Sequence, residues 1–329
     1  MERVHRRFSV VVLDYSMVAW TFLSATIRRA GKPGATVRLN PGTHASPLSK
    51  SNRFALCCNL AGQNINDLAR DLLNAREERT GVATLPSADA SFTLDDAYTA
   101  ETEIMRLRQA AGHAPNGRKV GYANKAMWRI LKMETLVWAR MYDDSVHMVA
   151  GNAAELPASS FYQARLEPEI VFKLQSAPAA DLDGAGALAC VDWIAIGFEI
   201  IDCPFPTWEI QPVDFVAAYG LHRALVVGEP KPVGAMPDLL DQLPKFKLTL
   251  RNAAGGEEQA GAGKNSLRSP AACLAELATA THARHQPLEA GELISTGTLS
   301  KAPDLAAGQN WTVTLDGLDL PSLNLKITE

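Results

Sequence analysis

Helical periodicity opens the regular part of the chain at Asn64. Apolar residues then recur at intervals of three and four, with charged residues between them: Ile65, Leu68, Ala69, Leu72 and Leu73. This spacing predicts an amphipathic helix that ends near Thr80. A second helix is predicted to begin at Thr93, where a capping-box pattern starts, and to stop before Gly112. We therefore expect residues 61–116 to form a small helical N-terminal module.

The pattern changes after this module to short β-rich runs between Gly, Pro and Asp residues. The predicted strands are residues 119–122, 169–174, 193–201, 224–227, 245–250, 292–296 and 311–315. Helical stretches are expected only at residues 126–138 and 270–281. Because helices do not alternate with the strands, the pattern indicates a mixed α+β domain over residues 117–329 and not a doubly wound sheet.

Residues 1–60 fit neither pattern and are interpreted as an atypical N-terminal extension. A basic start precedes an apolar stretch, as in a signal peptide. Asp14 interrupts that stretch, however, and Arg28 follows it closely. The uninterrupted apolar length is far below the roughly 20 residues that cross a bilayer. We predict no membrane span anywhere in the chain, with secretion as the alternative for this extension.

Composition and charge narrow the classes of function. The 329 residues include 32 basic and 36 acidic side chains, which give a net charge of −4. The chain has no basic block, so a nucleic-acid partner is not expected. It also lacks the Gly-rich strand-to-helix turn that binds nucleotides. Five scattered cysteines without metal-ligand spacing indicate a reducing compartment, and we predict a cytoplasmic protein.

Three carboxylates form the clearest candidate site. Glu167 and Glu169 are two residues apart, so on a strand both side chains point to the same face. Pro168 between them cannot donate to a β-ladder, which indicates an edge or bulged position. Glu199 lies in the apolar run 191–201, which is typical of a buried central strand.

A buried carboxylate is neutralised by a proton, a cationic side chain or a metal ion. Three carboxylates without an imidazole suit a hard cation, Mg²⁺ or Mn²⁺. Two plainer interpretations stay open from the residues alone. Glu167 and Glu169 can form a solvated strand face, and Glu199 can pair with a basic side chain, of which the candidates are Lys119, Arg165 and Arg223.

Six segments in order resemble the successive motifs of the fumarylacetoacetate hydrolase superfamily. They are residues 117–121, 166–172, 197–202, 208–214, 224–228 and 293–299. The branch they resemble contains the 2-hydroxypentadienoate hydratases and 4-oxalocrotonate decarboxylases of aromatic meta-cleavage pathways. The resemblance runs from about residue 65 to the C-terminus, and its specificity comes from the order and spacing of the motifs.

This resemblance implies a mixed, rolled β-sheet with a small helical N-terminal part, and a homo-oligomer. It implies that Glu167, Glu169 and Glu199 hold Mg²⁺ or Mn²⁺. The implied substrate is a 2-oxo acid or its dienol, which chelates the metal through its carboxylate and 2-oxygen. The cation stabilises an enolate, the intermediate common to hydration, decarboxylation and C–C cleavage.

The resemblance also suggests catalytic and substrate-binding residues. Lys119 matches the lysine of the first motif, where it would move protons or bind the substrate carboxylate, with a pKa lowered by the metal. Thr298 stands where the family places donors to the substrate carboxylate, although a simple turn competes with that role. The family has an acidic residue near position 137; Glu134 is the nearest candidate, displaced by about one helical turn.

The chain departs from the family after Asp214. Polar Asp, Asn and Ser positions of the family are occupied by Ala218, Tyr219 and Leu221, which argues against ordinary pentadienoate hydration. Tyr219, His222 and Arg223 are the replacement candidates for a bulkier or aromatic substrate, with His222 as a possible acid or base; a purely structural histidine is the alternative. The family's supporting arginine is also missing at Pro204, and Arg165 is the candidate to replace it.

The leading hypothesis is a metal-dependent lyase, a hydratase or decarboxylase that acts on 2-oxo or 2-hydroxydienoic acids. An acylpyruvate-type C–C hydrolase ranks second, because no convincing His–Glu element precedes the metal motif. A third possibility is a non-catalytic subunit in complex with a pathway enzyme. Retention of all three glutamates argues against that subunit, since an idle site would leave buried acids uncompensated.

Overall fold

The computed structural model describes residues 64–329 of the chain. The predicted N-terminal extension, residues 1–60, lies outside the described residues, and it includes Cys57 and Cys58. No helix between residues 64 and 329 has both the length and the hydropathy needed to cross a membrane.

The helices begin and end at recognisable local signals. Asn64 caps the first helix by accepting from the Asn66 amide, and Arg79 ends it in the left-handed conformation at φ 54°. Thr93 and Asp96 form the capping box that the sequence predicts for the second. The described helices are α1 (Ile65–Glu78), α2 (Leu94–Ala110), α3 (Lys125–Leu131), α4 (Gly184–Leu188), α5 (Pro212–Ala217), α6 (Leu239–Gln242) and α7 (Pro270–Ala283).

Thirteen strands are described in the same part of the chain. They are β1 (Pro115–Gly121), β2 (Val137–Tyr142), β3 (Val146–Met148), β4 (Ala153–Pro157), β5 (Ala164–Leu174), β6 (Val191–Asp202), β7 (His222–Val227), β8 (Lys231–Pro232), β9 (Lys247–Asn252), β10 (Glu258–Ala262), β11 (Leu293–Ser295), β12 (Asn310–Asp316) and β13 (Leu323–Thr328). All seven predicted strands correspond to one of them. Parallel and antiparallel pairs occur in both sheets, so the mixed α+β class is confirmed.

The predicted helix 126–138 is wrong in its second half. Lys132 adopts φ 54° directly after α3, which ends the helix there. The following Val137 and Trp138 then pair with β1 as part of β2. The prediction also omits β13, although Leu323, Leu325 and Ile327 alternate there with polar residues and all three are buried.

Two sheets form the framework. The eight-stranded sheet has the order β2-β1-β11-β5-β6-β7-β3, with β8 paired to β6, and the five-stranded sheet has the order β10-β9-β12-β13-β4. The antiparallel pair β5–β6 lies at the centre of the larger sheet, where Phe172, Ile196 and Phe198 are fully buried. Helices α1 and α2 share this hydrophobic core through Leu72 and Ile104.

Candidate metal centre and active site

Pairing of β5 with β6 brings the three predicted glutamates together. Glu167 faces Glu199 across the ladder, and Glu169 faces Gly197. One carboxylate oxygen from each of Glu167, Glu169 and Glu199 lies within 4.8 Å of the other two. Glu169 and Glu199 have no exposed surface, and Glu167 is 7% exposed. The arrangement is therefore a buried acidic cluster and not a solvated strand face.

Pro168 occupies a local edge of an internal strand. β6 covers one side of β5 along its whole length, but β11 covers the other side only as far as Ser295, opposite Val171. Beyond that point a loop replaces the strand, and the Pro168 carbonyl accepts from the Leu299 amide at 2.9 Å. Because this carbonyl faces away from β6, the missing Pro168 N–H interrupts no β5–β6 hydrogen bond.

The loop after β11 fixes one oxygen of Glu169. Its Oε2 accepts from Ser295 Oγ at 2.6 Å and from the Gly297 amide at 2.7 Å. Gly297 has φ +88°, and a Cβ there would lie 2.8 Å from the Ala123 side chain, so glycine is required for this approach. Glu169 Oε1 is buried and has no hydrogen-bond partner.

Glu199 is held in a similar way. Its Oε1 lies 2.9 Å from His222 Nδ1, and its Oε2 lies 3.2 Å from Lys119 Nζ. The Lys119 contact is an ion pair without hydrogen-bond geometry, so Glu199 Oε2 also has no hydrogen bond. Glu199 Oε2 thus has only the Lys119 ion pair, and Glu169 Oε1 has no hydrogen-bond partner at all. Burial of such oxygens is costly unless a further cation binds there. This donor set fits Mg²⁺ or Mn²⁺.

The charges in the cluster are unbalanced. Burial, followed by the neighbouring Glu199 and Glu167, raises the pKa of Glu169 well above its usual value. Burial also raises the pKa of Glu167 to about 7, although Lys119 opposes this shift. Burial acts in the same direction on Glu199, but Lys119 and His222 outweigh it and lower the pKa of that carboxyl. One lysine does not neutralise three carboxylates, which again favours a bound cation.

Lys119 extends from β1 to the cluster with 1% exposure. Its ammonium donates to the Gly220 carbonyl at 2.9 Å and lies 4.6 Å from the centroid of the Phe215 ring. Burial lowers the pKa of Lys119, but Glu199, Glu167 and Glu169 together raise it above the ordinary value. The protein groups alone therefore do not produce the lowered pKa that the sequence analysis expects of a lysine beside a metal.

His222 contacts Glu199 and not the space where a substrate could bind. Its Nδ1 faces Glu199, and its Nε2 lies 3.0 Å from Ser145 Oγ. Burial is the main cause that lowers the pKa of His222, so the ring is neutral. Because a carboxylate can only accept, Nδ1 carries the proton. The geometry makes His222 a positioning residue for Glu199.

The loop that departs from the family directs the side chains of Tyr219 and Arg223 away from the carboxylates, whereas Leu221 lines the cavity beside them. Tyr219, Gly220 and Leu221 have φ values of 38°, 70° and 57°, so three consecutive residues are left-handed. The Tyr219 ring packs under the Arg76 guanidinium at 5.3 Å, and Arg223 donates to the Arg76 carbonyl at 2.7 Å. Through Gly220, the loop offers Lys119 a backbone carbonyl.

A cavity of about 90 Å³ opens beside the cluster. Lys119, Glu167, Gly297 and Thr298 line it next to the carboxylates, and most of the remaining lining is apolar. The Thr298 hydroxyl donates to the Ser300 carbonyl at 3.0 Å, so it closes a turn and also faces the cavity.

Comparison with known proteins identifies the family. Residues 111–326, more than half of the chain, match the family described as fumarylacetoacetate (FAA) hydrolase C-terminal. The chain belongs to this family. The solved fumarylacetoacetate hydrolase-type structures that resemble it include 4-oxalocrotonate decarboxylase from Pseudomonas putida G7, complexed with magnesium and adipate, with a TM-score of 0.72. That likeness has 22% identity, covers 80% of this chain and 97% of that chain, and shows the fold.

Two relatives of known name are similar to this chain in sequence. The 2-hydroxyhexa-2,4-dienoate hydratase of Comamonas testosteroni is 29% identical over 266 residues, which are 79% of this chain and 97% of the relative. The 4-oxalocrotonate decarboxylase of Pseudomonas sp. (strain CF600) is 25% identical over 256 residues, which are 76% of this chain and 92% of the relative. Both relatives are lyases by name.

Four other residues that the sequence suggested for the site do not contact the three glutamates in this structure: Glu134, Arg165, Tyr219 and Arg223. Glu134 is exposed in the loop between α3 and β2 and lines a separate open groove with α2 and α7, because the left-handed Lys132 turns the chain outward one turn early. Tyr219 and Arg223 line a different cavity of about 20 Å³. Arg165 does not replace the missing arginine near Glu199: it pairs with Asp304 at 2.7 Å.

Two hydroxyl groups near the acidic cluster are not among the residues predicted from the sequence. Ser295 bonds to Glu169, and it lies inside the last family motif, so its position gave a usable signal. Ser145, which contacts His222, lies in a turn between β2 and β3 that carries no motif. Only the fold brings Ser145 to the site.

Proposed function

We propose that this protein is a metal-dependent lyase that hydrates or decarboxylates 2-oxo or 2-hydroxydienoic acids of aromatic meta-cleavage catabolism. The observation that carries the proposal is the buried cluster of Glu167, Glu169 and Glu199 beside Lys119 and a cavity, in which Glu169 Oε1 and Glu199 Oε2 have no hydrogen bond. The similarity to a dienoate hydratase and to a 4-oxalocrotonate decarboxylase supports it.

Glu167, Glu169 and Glu199 would hold Mg²⁺ or Mn²⁺, because an all-oxygen set of carboxylates suits a hard cation. When bound, such a cation supplies positive charge that stabilises the enolate form of a 2-oxo acid. Two neighbouring side chains would orient these carboxylates for the metal: Ser295 contacts Glu169, and His222 contacts Glu199.

Lys119 is the proposed catalytic residue. Its ammonium lies at the junction of the acidic cluster and the cavity, where it can hold a proton at Nζ or bind the substrate carboxylate. The Gly220 carbonyl and the Phe215 ring restrict its position. Thr298 lines the same end of the cavity and is proposed to contact the substrate carboxylate. Glu134 and the side chains of Tyr219 and Arg223 have no place in this proposal.

Hydration and decarboxylation are favoured over C–C hydrolysis by one feature of the site. No histidine in the described part of the chain lines the cavity, so the His–Glu element that the sequence analysis associates with hydrolases is missing there. The complete acidic cluster argues likewise against a non-catalytic subunit, since three uncompensated buried acids would only destabilise the fold.

The assembly and compartment are part of the proposal. We infer a homo-oligomer from the family resemblance, with a complex with a pathway enzyme as an addition to test by co-purification. Cys190, Cys203 and Cys273 are free thiols, which suits the cytoplasm. Light scattering of the purified full chain measures the subunit number, and a monomer at cellular concentration would contradict the oligomer.

The test is a set of absorbance assays on the purified full chain. Substrates are 2-hydroxypenta-2,4-dienoate, its six-carbon homologue, 4-oxalocrotonate and an acylpyruvate, each with Mg²⁺, Mn²⁺ or excess chelator. We expect turnover of a dienoate or of 4-oxalocrotonate that chelator abolishes and that added metal restores. Turnover that survives both chelation and the Glu199→Gln substitution would contradict the metal proposal. Preferential cleavage of the acylpyruvate would show that the enzyme is a hydrolase and not a lyase.

A further inference from the structure

The cavity beside the carboxylates is walled mainly by hydrocarbon. Lys119, Glu167 and Thr298 line it next to the acidic cluster, and the amide side chains of Asn124 and Asn265 also line it. Six further side chains, which we call the apolar wall, come from four separate segments of the chain: Tyr122, Met127, Leu131, Trp208, Ile210 and Phe215. A substrate held at the cluster by its carboxylate and 2-oxygen would extend its remaining carbons along this wall.

We infer that the apolar wall makes the enzyme selective for 2-oxo acids with an uncharged hydrocarbon tail and excludes those with a second carboxylate at the tail. This inference rests on the proposed function, since it assumes that a 2-oxo acid binds at the acidic cluster. It goes further by naming the substrate class and the residues that determine it. Within the proposed lyase activities it favours a dienoate with an uncharged tail over 4-oxalocrotonate, which carries a second carboxylate.

A second carboxylate would meet no available cation along the described lining. Lys119 is the one cationic residue there, and it lies 3.2 Å from Glu199. Arg165 does not line the cavity: its guanidinium lies 4.2 Å from the centroid of the Trp208 ring and pairs with Asp304. A buried carboxylate without a partner is strongly disfavoured, whereas a methylene group at the same place is stabilised by leaving water.

The wall is held in place before any ligand arrives. Tyr122 has φ 58°, and its carbonyl accepts from the Trp128 indole at 2.6 Å, which fixes the start of α3 and with it Met127. The Tyr122 ring meets the Phe215 ring edge to face at a centroid distance of 5.5 Å. A preformed apolar surface selects against charged tails, because it cannot rearrange to offer them a polar group.

A neighbouring basic cavity offers the main competing explanation. This second cavity, of about 240 Å³, shares Ala123, Asn124 and Asn265 with the first. Its charged residues, which we call the basic rim, are Lys125, Lys264 and Arg268, all exposed. A long dicarboxylate could leave the apolar wall and reach this rim. The experiment therefore has to vary chain length and remove the rim separately.

The experiment measures calorimetric binding of saturated, non-reacting 2-oxo acids to the full-length protein loaded with Mn²⁺. Pyruvate, 2-oxobutanoate, 2-oxopentanoate and 2-oxohexanoate form the uncharged series; 2-oxoadipate and 2-oxopimelate form the dicarboxylate series. We expect affinity to rise about fourfold for each added methylene, the equivalent of burying one such group. We expect each dicarboxylate to bind at least about tenfold more weakly than the uncharged acid of comparable length.

Three variants locate the cause. Met127→Lys introduces a cation into the wall and should reverse the preference towards dicarboxylates. Ile130→Lys on the same helix, at a side chain that is 68% exposed, is the matched control and should leave the preference unchanged. The double variant Lys264→Ala/Arg268→Ala should also leave it unchanged. The wild-type series decides the question even where a variant does not fold.

The outcomes separate the two proposals. Dicarboxylates that bind as tightly as the uncharged acids, or a preference for them that disappears with Lys264 and Arg268, would overturn the apolar selection and leave the lyase proposal intact. If no 2-oxo acid binds, pyruvate included, the proposed function itself fails and the selection with it. A rise in affinity with tail length, together with a preference for uncharged acids that Met127→Lys reverses, supports both.

Discussion

Glu167, Glu169 and Glu199 lie on two paired strands at the centre of the larger sheet, whereas residues 218–223 form a turn with left-handed residues and the start of β7. The strands present carboxylate side chains to the site. The turn presents a backbone carbonyl, that of Gly220, and directs Tyr219 and Arg223 elsewhere. Strand register thus fixes the three carboxylates, and residues 218–223 contribute the Gly220 carbonyl and the His222 ring that contacts Glu199.

The largest effect is expected from a strand residue, Glu169→Gln. The amide keeps the bonds from Ser295 and Gly297 but removes a metal ligand, so activity should fall by about 10³-fold. Saturating Mn²⁺ at 100 times its Kd should stabilise the wild-type protein by about 2.7 kcal/mol and the variant hardly at all. Steady-state kinetics and thermal unfolding with and without Mn²⁺ measure both.

Glu155→Gln is the matched control for this substitution, since Glu155 also lies on a strand but is exposed and pairs with Lys326. It should leave activity and the Mn²⁺ effect unchanged. An unaltered Mn²⁺ stabilisation in Glu169→Gln would show that the strand carboxylates are not the metal site. The comparison of strands with loop would then no longer describe the chemistry of the site.

The next effect concerns the positioning of Glu199 by His222. Loss of such a second-layer contact typically lowers metal affinity 10–100-fold, and we expect about this range for His222→Ala. His222→Asn should recover part of it, because its amide can donate to Glu199 as Nδ1 does. Mn²⁺ titration gives the affinities, with His147→Gln at an exposed histidine as control. Equal loss in the Ala and Asn variants would mean that His222 only fills space.

Gly220→Ala tests the backbone contribution of the loop. A non-glycine residue at φ +70° costs about 1–2 kcal/mol, and the added Cβ would lie 2.5 Å from Lys119 Cδ and 2.9 Å from the Ala139 side chain. We expect lower stability and a reduced kcat, because Lys119 has to move. Gly151→Ala is the matched control: its φ is +68°, but a Cβ there has nothing within 4 Å.

The two glycine variants separate backbone strain from displacement of Lys119. Both should lose a similar free energy of unfolding from the left-handed conformation alone. Only Gly220→Ala should also lower kcat. If Gly151→Ala lowers kcat equally, the loop carbonyl has no particular role at Lys119.

The difference between strand and loop also explains what the sequence could predict. Two-residue spacing placed Glu167 and Glu169 on one face, and an apolar run marked β6 as central, because side-chain alternation in a strand is strictly local. Left-handed φ values at Tyr219 and Leu221 leave no such signal, since neither residue type favours them. Ser145 and Arg76 reach the site region from distant segments, which no local pattern encodes.

The structure places Glu134 away from the position expected for it, for a related reason. Its placement assumed an unbroken helix through residue 138, but Lys132 adopts a left-handed C-cap that its residue type does not announce. The chain then enters β2, where Trp138 is buried between Tyr98 and two arginine side chains. One capping residue therefore moved the predicted acid from the cavity to an exposed loop.

The smallest effect is expected from a side chain of the loop itself, Tyr219→Phe. The ring that packs under Arg76 stays, and the lost hydroxyl does not line the cavity, so kcat/KM should change by no more than about threefold. Thr298→Val, a change of similar size at a residue that does line the cavity, should raise KM by more. A tenfold loss of kcat/KM in Tyr219→Phe would place a loop side chain in the reaction. Catalytic side chains would then come from the loop as well as from strands β1, β5 and β6, and the distinction between the two regions would no longer hold.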